Sequence, residues 1–320
     1  MTQPYRSRPF DLKGNDFEKM WRFLQEDYAR KQERFIWHIG RLGDWQYGLW
    51  NEQKCIPTFF QKHAQLWLDD FERLLGFVID EGGDNIFFIF TLTGYEYLYP
   101  AILDWTIEHW GPRPAALVTE VHEMQTAELV ELERRGFHSR GAVAVTREYD
   151  LREKMNEPAR LPAGYKIVNM AENGDYPGKA RLFKDGFSSS NEVSEFDLLK
   201  FEYSRENPAY DPALDFSVLA PDGVHTATCV GFADPANRAA EVEKVCTHRG
   251  HRRLGLAEAA IRTCFQRLAQ RGIERAYITG YSGEAKSLYE KLGPCRRKEW
   301  FHYELKLAEE KINHEGHGEH

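Results

Sequence analysis

A basic turn that contains glycine connects a strand-like segment to a long helix-like one in the second half of the chain. The stretch Glu241 to Ala260 reads EVEKVCTHRGHRRLGLAEAA. The first turn of a helix presents backbone N–H groups without partners and a partial positive charge, and a glycine lets a bulky anion approach the backbone closely. Arg249, Arg252 and Arg253 add positive charge. The segment therefore predicts a site for a ligand that carries phosphate.

Two common phosphate-binding loops do not fit this turn. Gly250 and Gly255 have the spacing of a GxxxxG loop, but Leu256-Ala257 stands where a nucleoside triphosphatase carries its lysine and hydroxyl residue. The dinucleotide-binding pattern GxGxxG is absent as well, and a basic turn does not suit that class. The ligand must be assigned from another pattern.

A third signature does match. Residues 252–257, RRLGLA, fit R/Q-x-x-G-x-G/A, which resembles the acetyl-CoA pyrophosphate loop of the GNAT superfamily of N-acetyltransferases. The wider VCTHRGHRRLGLA resembles that family's V-x-T-H-P-x-x-R-x-x-G-L-A, with Arg249 where proline is usual. Residues 282–293, SGEAKSLYEKLG, resemble its N-x-x-A-x-x-L-Y-E-K-L-G-F, with Ser282 for asparagine and Pro294 for phenylalanine. The resemblance covers residues 160–306.

The resemblance implies a role for each matching position. Backbone N–H groups from Arg253 to Ala257 would hold the pyrophosphate, and the backbone edges of Val245 and Thr247 would pair with the pantetheine arm as an added strand. Tyr289 would be the general acid that protonates the departing CoA thiolate. The cofactor-binding residues implied in this way are Val245, Cys246, Thr247, Arg252, Arg253, Leu254, Gly255, Leu256, Ala257, Ser282 and Lys286.

The reaction also needs a base, because a protonated amine has no lone pair with which to attack a thioester. Glu243 is the candidate: it precedes Val245 by two residues on the same predicted strand, and we expect both on one face. Two alternatives stay open. Glu243 could instead pair with Arg275 or Arg297, and Tyr289 could be a packed aromatic residue of an amphipathic helix.

The cysteines and histidines of this segment are not expected to react. The family transfers the acyl group directly in a ternary complex, so Cys246 and Cys264 are expected in the core rather than as nucleophiles. His248 and His251 are expected to shape the turn or to face the phosphates. The chain's five cysteines are scattered and contain no CxxC pair, which indicates small buried residues and no metal site.

Composition limits the class of protein. The chain has 320 residues, 42% hydrophobic and 29% charged, as in a folded protein of two domains or one large one. Its net charge of −8 disfavours nonspecific nucleic-acid binding and suits a cationic small substrate. The apolar run Ile86 to Phe90 is too short for a membrane helix, and MTQPYRSRPFDLKG lacks a signal-peptide core. We therefore expect a cytoplasmic location without membrane contact.

Hydrophobic periodicity and turn residues predict the elements that position the motif. In the first half they are a helix Asp16 to Arg34, a Trp-rich loop around Trp37, Trp45 and Trp50, strands Gln65 to Leu68, Leu74 to Ile79 and Asn85 to Leu92, a helix Leu98 to Trp110, a strand Ala115 to Val121, a helix Thr126 to Arg135 and a strand Ala142 to Tyr149. In the second half they are a strand Tyr165 to Met170, helices Tyr176 to Phe187 and Ser194 to Tyr203, strands Asp215 to Ala220, Thr226 to Ala233 and Glu241 to Cys246, a helix Leu254 to Arg271, a strand Ala276 to Gly280, a helix Glu284 to Leu292 and a strand Trp300 to Leu305.

The two halves indicate an internal duplication. The helix-ending glycines Gly136 and Gly293 are 293 − 136 = 157 residues apart, and subtracting this offset from Gly255 gives Leu98, where the earlier helix is predicted to begin. The same offset places YEYLYP, residues 95–100, at the pyrophosphate loop, with no glycine and an added glutamate. The segment LERRGF of the first half resembles the second signature, with Leu132 where the second half has Tyr289. We therefore predict an α/β (α+β) fold of two tandem GNAT-like domains, each a mixed sheet flanked by helices, with a cofactor site in the second domain.

The charged, proline-containing stretch Asp150 to Gly164 predicts the domain boundary. The predicted units are a degenerate domain at 1–150, a linker at 151–163, a catalytic domain at 164–308 and a flexible tail at 309–320. His314, His317 and His320 of the tail are expected to be frayed rather than metal-binding. Seven of the eight tryptophans lie in the first half, where they could line an acceptor pocket at the junction or pack in the core.

These inferences predict an N-acetyltransferase that moves the acetyl group of acetyl-CoA to a primary amine of a small molecule, without a metal, as a monomer or homodimer. Two other functions stay open: acetylation of a protein lysine or N-terminus, and CoA binding without catalysis by a sensor or interaction protein. The acceptor and the length of the acyl chain are not fixed by the sequence.

Overall fold

Short strands alternate with amphipathic helices along the chain, and each buries its apolar side against a neighbouring layer. The computed structural model describes residues 4–31, 37–48, 52–56, 58–111, 116–152, 160–188 and 192–307. Within these residues the strands form one sheet of twelve, and helices pack on both of its faces. This mixed α/β architecture confirms the predicted fold class.

The described elements of the first half are β1 (Arg6–Pro9), α1 (Asp16–Lys31), α2 (Ile39–Tyr47), α3 (Phe59–His63), β2 (Ala64–Leu68), β3 (Leu74–Asp80), β4 (Ile86–Thr91), α4 (Tyr99–Trp110), β5 (Ala116–His122), α5 (Thr126–Arg134) and β6 (His138–Asp150). Those of the second half are β7 (Lys166–Asn169), α6 (Met170–Asn173), α7 (Tyr176–Phe187), α8 (Glu195–Ser204), β8 (Asp215–Leu219), β9 (His225–Asp234), β10 (Ala239–Thr247), α9 (Leu256–Gln270), β11 (Arg275–Gly280), α10 (Gly283–Glu290) and β12 (Arg296–Lys306).

Apart from the short helices α3 and α6, both halves follow one order: a strand, two helices, three strands, and then helix, strand, helix, strand. The helix α4 begins at residue 99 and α9 at residue 256, which are 256 − 99 = 157 residues apart. Gly136 and Gly293 both have positive φ, as expected of glycines that end helices. The predicted repeat of elements is confirmed.

The prediction of a Trp-rich loop is wrong, because Trp45 lies in helix α2. The sequence did not predict this helix because it contains two glycines, and glycine disfavours a helix interior. A Cβ added to Gly40 would lie 2.5 Å from the Phe232 ring, and one added to Gly43 would lie 2.0 Å from the Asn207 amide oxygen. The glycines therefore let α2 pack closely against the second half. The four-residue strand β1 was also missed.

The last strand of each half is exchanged with the other half. The sheet order is β1-β2-β3-β4-β5-β12-β6-β11-β10-β9-β8-β7. Strand β12, from the second half, lies between β5 and β6 and is antiparallel to both. Strand β6, from the first half, is antiparallel to β11. Each half thus covers an edge strand of the other, so one continuous sheet joins them.

The core follows the sheet across this exchange. Helices α1 and α2 bury one face in a cluster that reaches from Phe77 of β3 to Phe232 of β9 and includes Trp300. The opposite face is covered by α4 in the first half and by α9 and α10 in the second. The Trp300 indole donates a hydrogen bond of 2.9 Å to the Thr146 hydroxyl, and the hydroxyls of Tyr28 and Tyr277 are 2.7 Å apart.

The tryptophans of the first half are mainly core residues. Trp37, Trp45, Trp67 and Trp110 are buried in the hydrophobic clusters, which is the packing alternative that the sequence left open. Trp50 lies outside the described residues.

Three of the cysteines, Cys229, Cys246 and Cys264, are buried as expected. The expectation is wrong for Cys55, which is exposed at the end of a short 3₁₀ helix, and Cys295 is half-buried. No group of three His, Cys, Asp or Glu residues that could hold a metal ion occurs in the described residues. Among the same residues, no helix is long and apolar enough to cross a membrane.

The predicted boundary at Asp150 to Gly164 stays a prediction. Residues 153–159 of the linker and 308–320, with the three histidines of the tail, are outside the described part of the chain. The 1–150 and 164–308 units are separate in sequence order, but their sheets are joined through β6 and β12.

Cutting the chain at a protease site inserted between Arg152 and Arg160 is expected to leave the two fragments together. Strands β6 and β12 are each hydrogen-bonded to a strand of the other fragment, and the fragments share one core. The cut protein should elute at the volume of the intact chain in size-exclusion chromatography and unfold in one transition. Two fragments that separate in native buffer and remain folded would contradict the exchange.

Candidate functional site

An irregularity in β10 shapes the segment that carries the sequence motif. Glu243 pairs with Val230 of β9, but the next paired residue, Cys246, faces Thr228, so β10 contains one residue more than its partner. Lys244 lies in this β-bulge with φ of 55°, a conformation that residues other than glycine rarely adopt. The bulge bends the strand and changes which side chains face each side of the sheet.

The two central strands of the second half separate beyond this point. Strands β10 and β11 are parallel and pair only from Ala239 with Arg275 to Glu241 with Tyr277. Strand β10 continues to Thr247 and β11 to Gly280 without further pairing between them, which leaves an opening between the two strands. The edge of β10 that includes Val245 faces this opening and can accept an extended ligand backbone as a strand would.

The basic turn joins the open end of β10 to α9. Arg253 and Gly255 both have positive φ, 63° and 75°, and Gly255 is the N-cap residue with no side chain that caps the helix. A Cβ added to Gly255 would meet nothing within 4 Å, so the space beside it is open. The first N–H groups of this 15-residue helix can therefore receive an anion.

The predicted binding residues of this turn differ in exposure. Arg252, Arg253, Leu254 and Gly255 are exposed, whereas the side chains of Leu256 and Ala257 are buried in the core under α9 and only their backbone can serve a ligand.

Arg249 is exposed but is bound to a carboxylate of the protein itself. Its Nε donates to Asp185 Oδ1 at 3.0 Å, and its backbone N–H donates to Oδ2 at 2.6 Å. Burial would raise the pKa of Asp185, but these hydrogen bonds and the charges of His248 and Arg249 lower it below its ordinary value. The carboxylate therefore stays ionised and ties the basic turn to α7.

The two histidines of the turn also have partners. His248 accepts a hydrogen bond of 3.1 Å from the Gly250 N–H, and His251 Nδ1 lies 2.8 Å from the Tyr165 hydroxyl. They shape the turn, which is one of the two roles expected of them.

Tyr289 reaches the β11 side of the opening from α10. Its ring lies against Gly280, where an added Cβ would be 3.2 Å from ring carbon Cδ2. Burial and then the nearby charge of Glu243 raise the pKa of the Tyr289 phenol well above its ordinary value. Its backbone carbonyl accepts a hydrogen bond from the buried Tyr149 hydroxyl, which fixes the end of α10. Tyr289 is 5% exposed and belongs to the hydrophobic cluster under α9, which is the packing alternative that the sequence left open, and its acid role stays a prediction.

The prediction that Glu243 and Val245 share a face is wrong. Glu243 is opposite Val230, which belongs to the cluster under α1 and α2, whereas Val245 packs against the cluster under α9. The bulge at Lys244 causes the difference, because an added residue reverses the alternation of the strand. Glu243 is half-buried and close enough to Tyr289 to act on its pKa.

Three other predicted binding residues have structural contacts. The Ser282 hydroxyl accepts from the Ala285 N–H at 3.1 Å and caps α10. Lys286 Nζ donates to the Val143 carbonyl of β6 at 3.3 Å, so it contacts the exchanged strand. The Cys246 thiol faces the Leu182 carbonyl of α7, and burial raises its pKa to about 12, which keeps it unreactive.

Sequence reasoning missed three residues beside the bulge: Glu241, Lys244 and Asp44. Glu241 is fully buried on β10, two residues before Glu243. Lys244 pairs with Asp44 of α2 at 2.9 Å, a contact between the halves. The alternation of EVEK places Glu241 on the same side of the strand as Glu243, so the sequence could have indicated it. No local pattern predicts a contact between Asp44 and Lys244.

The first half has a corresponding opening between β4 and β5. These strands pair only at Ile86 with Val118 and Phe87 with Thr119. A small cleft, partly open to solvent, lies beyond and is lined by the aromatic side chains of Phe88, Phe90, Tyr99 and Trp300 and by the polar side chains of Thr119, Glu120 and Gln125. The offset of 157 residues relates its Phe88–Phe90 to 245–247 and its Gln125 to Ser282.

The turn before α4 in the first half differs from the basic turn before α9. The Gly94 N–H donates to the Glu96 carboxylate at 2.9 Å, so an acidic side chain occupies a backbone donor of the turn. No arginine lies between Gly94 and α4, which begins at Tyr99. An anion would meet a negative charge here.

Comparison with known proteins agrees with this geometry. Residues 180–293 match the family described as "Acetyltransferase (GNAT) family". Among solved structures, a tandem GNAT protein from the clavulanic acid biosynthesis pathway has a TM-score of 0.64 at 12% identity, covering 95% of this chain and 98% of that one. A GCN5-related N-acetyltransferase from Sphaerobacter thermophilus has a TM-score of 0.60 at 15% identity, covering 96% and 98%.

These likenesses confirm the resemblance stated from the motifs: the chain has the tandem GNAT fold, and the family match lies in the second half. Family and fold together support acyl transfer in general. No curated protein matches the sequence.

Proposed function

We propose, from the GNAT fold and the family match at residues 180–293, that the chain is an N-acetyltransferase that moves the acetyl group of acetyl-CoA to a primary amine of a small molecule. One observation carries the proposal: the second half combines an uncapped helix N-terminus beside an open glycine with a strand edge freed from pairing. The first suits a pyrophosphate and the second suits the amide-containing arm that follows it in CoA.

The residues fit acetyl-CoA as a cosubstrate. The backbone N–H groups from Arg253 to Ala257 would bind the pyrophosphate, with Arg252 and Arg253 exposed to add charge. The edge of β10 at Val245 and Thr247 would bind the pantetheine arm. When bound, acetyl-CoA supplies an activated acyl group as a thioester.

Glu243 and Tyr289 are proposed as the two proton-transfer groups. Glu243 takes one proton from the ammonium group of the acceptor, directly or through water, and the neutral nitrogen then forms a bond to the thioester carbonyl carbon. The carbon–sulfur bond breaks, Tyr289 gives its phenolic proton to the sulfur, and the second proton of the nitrogen returns to the Tyr289 oxygen. The raised pKa of Tyr289 keeps the phenol protonated at neutral pH. A backbone N–H near Val245 to Thr247 would polarise the carbonyl during attack.

The first half is proposed to bind no cofactor. Aromatic side chains line its cleft, and Glu96 occupies a backbone donor of its turn. The acceptor is proposed to be a cationic amine, which the net charge of −8 and the carboxylate of Glu243 favour. Action in the cytoplasm as a monomer or homodimer, without metal, nucleic acid or membrane, completes the proposal and rests on the sequence.

A thermal-shift titration with acetyl-CoA tests the cofactor site, with Gly255→Glu as the disrupting variant. The glutamate would enter the open space and repel the pyrophosphate. At about 100 times its Kd, acetyl-CoA should stabilise the wild type by about 2.7 kcal/mol and raise its melting temperature. Gly255→Glu should show no such rise.

Gly272→Glu is the matched control for this titration. Gly272 follows α9 at its other end, has φ of 81°, and also has nothing within 4 Å of an added Cβ. Both variants should lower the melting temperature of the free protein through similar backbone strain, but Gly272→Glu should keep the response to acetyl-CoA. Equal responses in both variants would contradict the proposed pyrophosphate site.

Tyr289→Phe tests the acid role. Removal of the hydroxyl should lower kcat by about 10²-fold, in the range of general acid catalysis, and leave the KM for acetyl-CoA near the wild-type value. The measurement is CoA release with an accepted amine from about pH 6 to pH 9. Turnover of the variant equal to that of the wild type across this range would refute the role.

A further inference from the structure

Lys244 has an unusual backbone conformation for its place in the fold. Four non-glycine residues of the described ranges have positive φ: Glu72, Arg238, Arg253 and Lys244. The first three lie in turns or loops, whereas Lys244 lies inside a strand. Such a conformation persists in an L-residue with a side chain only when surrounding contacts hold it.

The contact that holds Lys244 comes from the other half of the chain. Its Nζ donates to Asp44 Oδ1 of α2 at 2.9 Å and lies 5.5 Å from the centroid of the Phe232 ring. Asp44 is buried, at 4% exposure, so water screens the pair weakly. The ammonium is therefore held on the α2 side of the sheet, as the bulge requires.

Helix α2 is itself fixed against the second half. The Asn207 amide donates to Asp44 Oδ1 and to the Gly40 carbonyl, both at 3.3 Å. Gly40 and Gly43 lie directly against Phe232 and Asn207, with no room for a Cβ. Asp44 thus presents its carboxylate from a rigid support.

The bulge needs this support because the pairing of β10 with β11 ends before it. Beyond Glu241 the strand is paired with β9 and no longer with β11. A strand held on one side can return to regular alternation more easily than one held on both. That return would move Glu243 and the Val245 edge relative to the opening.

We propose that Asp44 of the first half is a positioning residue for the active site of the second half: by binding Lys244 it maintains the bulge that orients Glu243 and exposes the Val245 edge. The inference rests on the proposed function. It gives the first half a part in acetyl transfer although that half is proposed to bind no cofactor.

Two substitutions at Lys244 separate backbone conformation from charge. Lys244→Ala and Lys244→Gly both remove the ammonium, but only glycine adopts φ near 55° without strain. Lys244→Ala and Asp44→Asn should each raise the Kd of acetyl-CoA about tenfold, which corresponds to about 1.4 kcal/mol, whereas Lys244→Gly should recover most of the affinity. Isothermal titration calorimetry measures these values.

Gln25→Ala is the control for general loosening of the junction. Gln25 of α1 donates to Asp234 Oδ1 at 2.8 Å, so it also joins the first half to the β9–β10 hairpin, but at the end away from the bulge. Its loss should leave the Kd of acetyl-CoA at the wild-type value. Equal Kd values for Asp44→Asn and Gln25→Ala, or for Lys244→Gly and Lys244→Ala, would overturn the proposal.

Amide hydrogen exchange of the free protein gives a readout that does not depend on the cofactor. The peptide that contains Val242–Thr247 should exchange faster in Asp44→Asn and Lys244→Ala than in Gln25→Ala and Lys244→Gly. Absence of acetyl-CoA binding by the wild type would reject the proposed function, and the exchange rates would still decide the role of Asp44. Identical exchange in all four variants would reject that role.

Discussion

The hydrogen bonds that β12 makes with β5 on one side and β6 on the other join the two halves into one sheet. Because each half contributes its last strand to the other, the hydrophobic face beneath α1 and α2 continues from β2 to β9 without an interdomain gap. This continuity lets a helix of the first half lie against the bulge of the second. The candidate site therefore depends on a pairing that occurs at the middle of the sheet.

The two halves have corresponding openings that differ in their side chains. Both parallel pairs, β4 with β5 and β10 with β11, separate after two or three residues. In the second half the opening ends at exposed arginines, a glycine with free space and an uncapped helix. In the first half, aromatic side chains and Glu120 line it, and Glu96 accepts a hydrogen bond from the backbone of the turn. One fold thus supports a proposed catalytic unit and a proposed scaffold, and the difference comes from a few side chains.

Local sequence patterns predicted most of the fold, since periodicity fixed α9 and the apolar runs fixed β3, β4 and β9 within a few residues. The motif also located the turn and α10. Helix α2 was missed because Gly40 and Gly43 serve close packing between the halves, which no local pattern reveals. The exchange of strands could not be predicted for a similar reason. The alternation of apolar and polar residues in β6 and β12 is the same whichever half each strand pairs with. The bulge was missed because a lysine does not predict positive φ. The residue that binds Lys244, Asp44, lies 200 residues away in the chain, so no local pattern indicates it.

The most direct measurement of the central claim is a crystal structure of the chain with acetyl-CoA. The account predicts one molecule per chain, with its pyrophosphate at the N–H groups of Arg253 to Ala257 and its pantetheine arm between β10 and β11, near Glu243 and Tyr289. Acetyl-CoA bound between β4 and β5, or absent from the β10–β11 opening at saturating concentration, would contradict it.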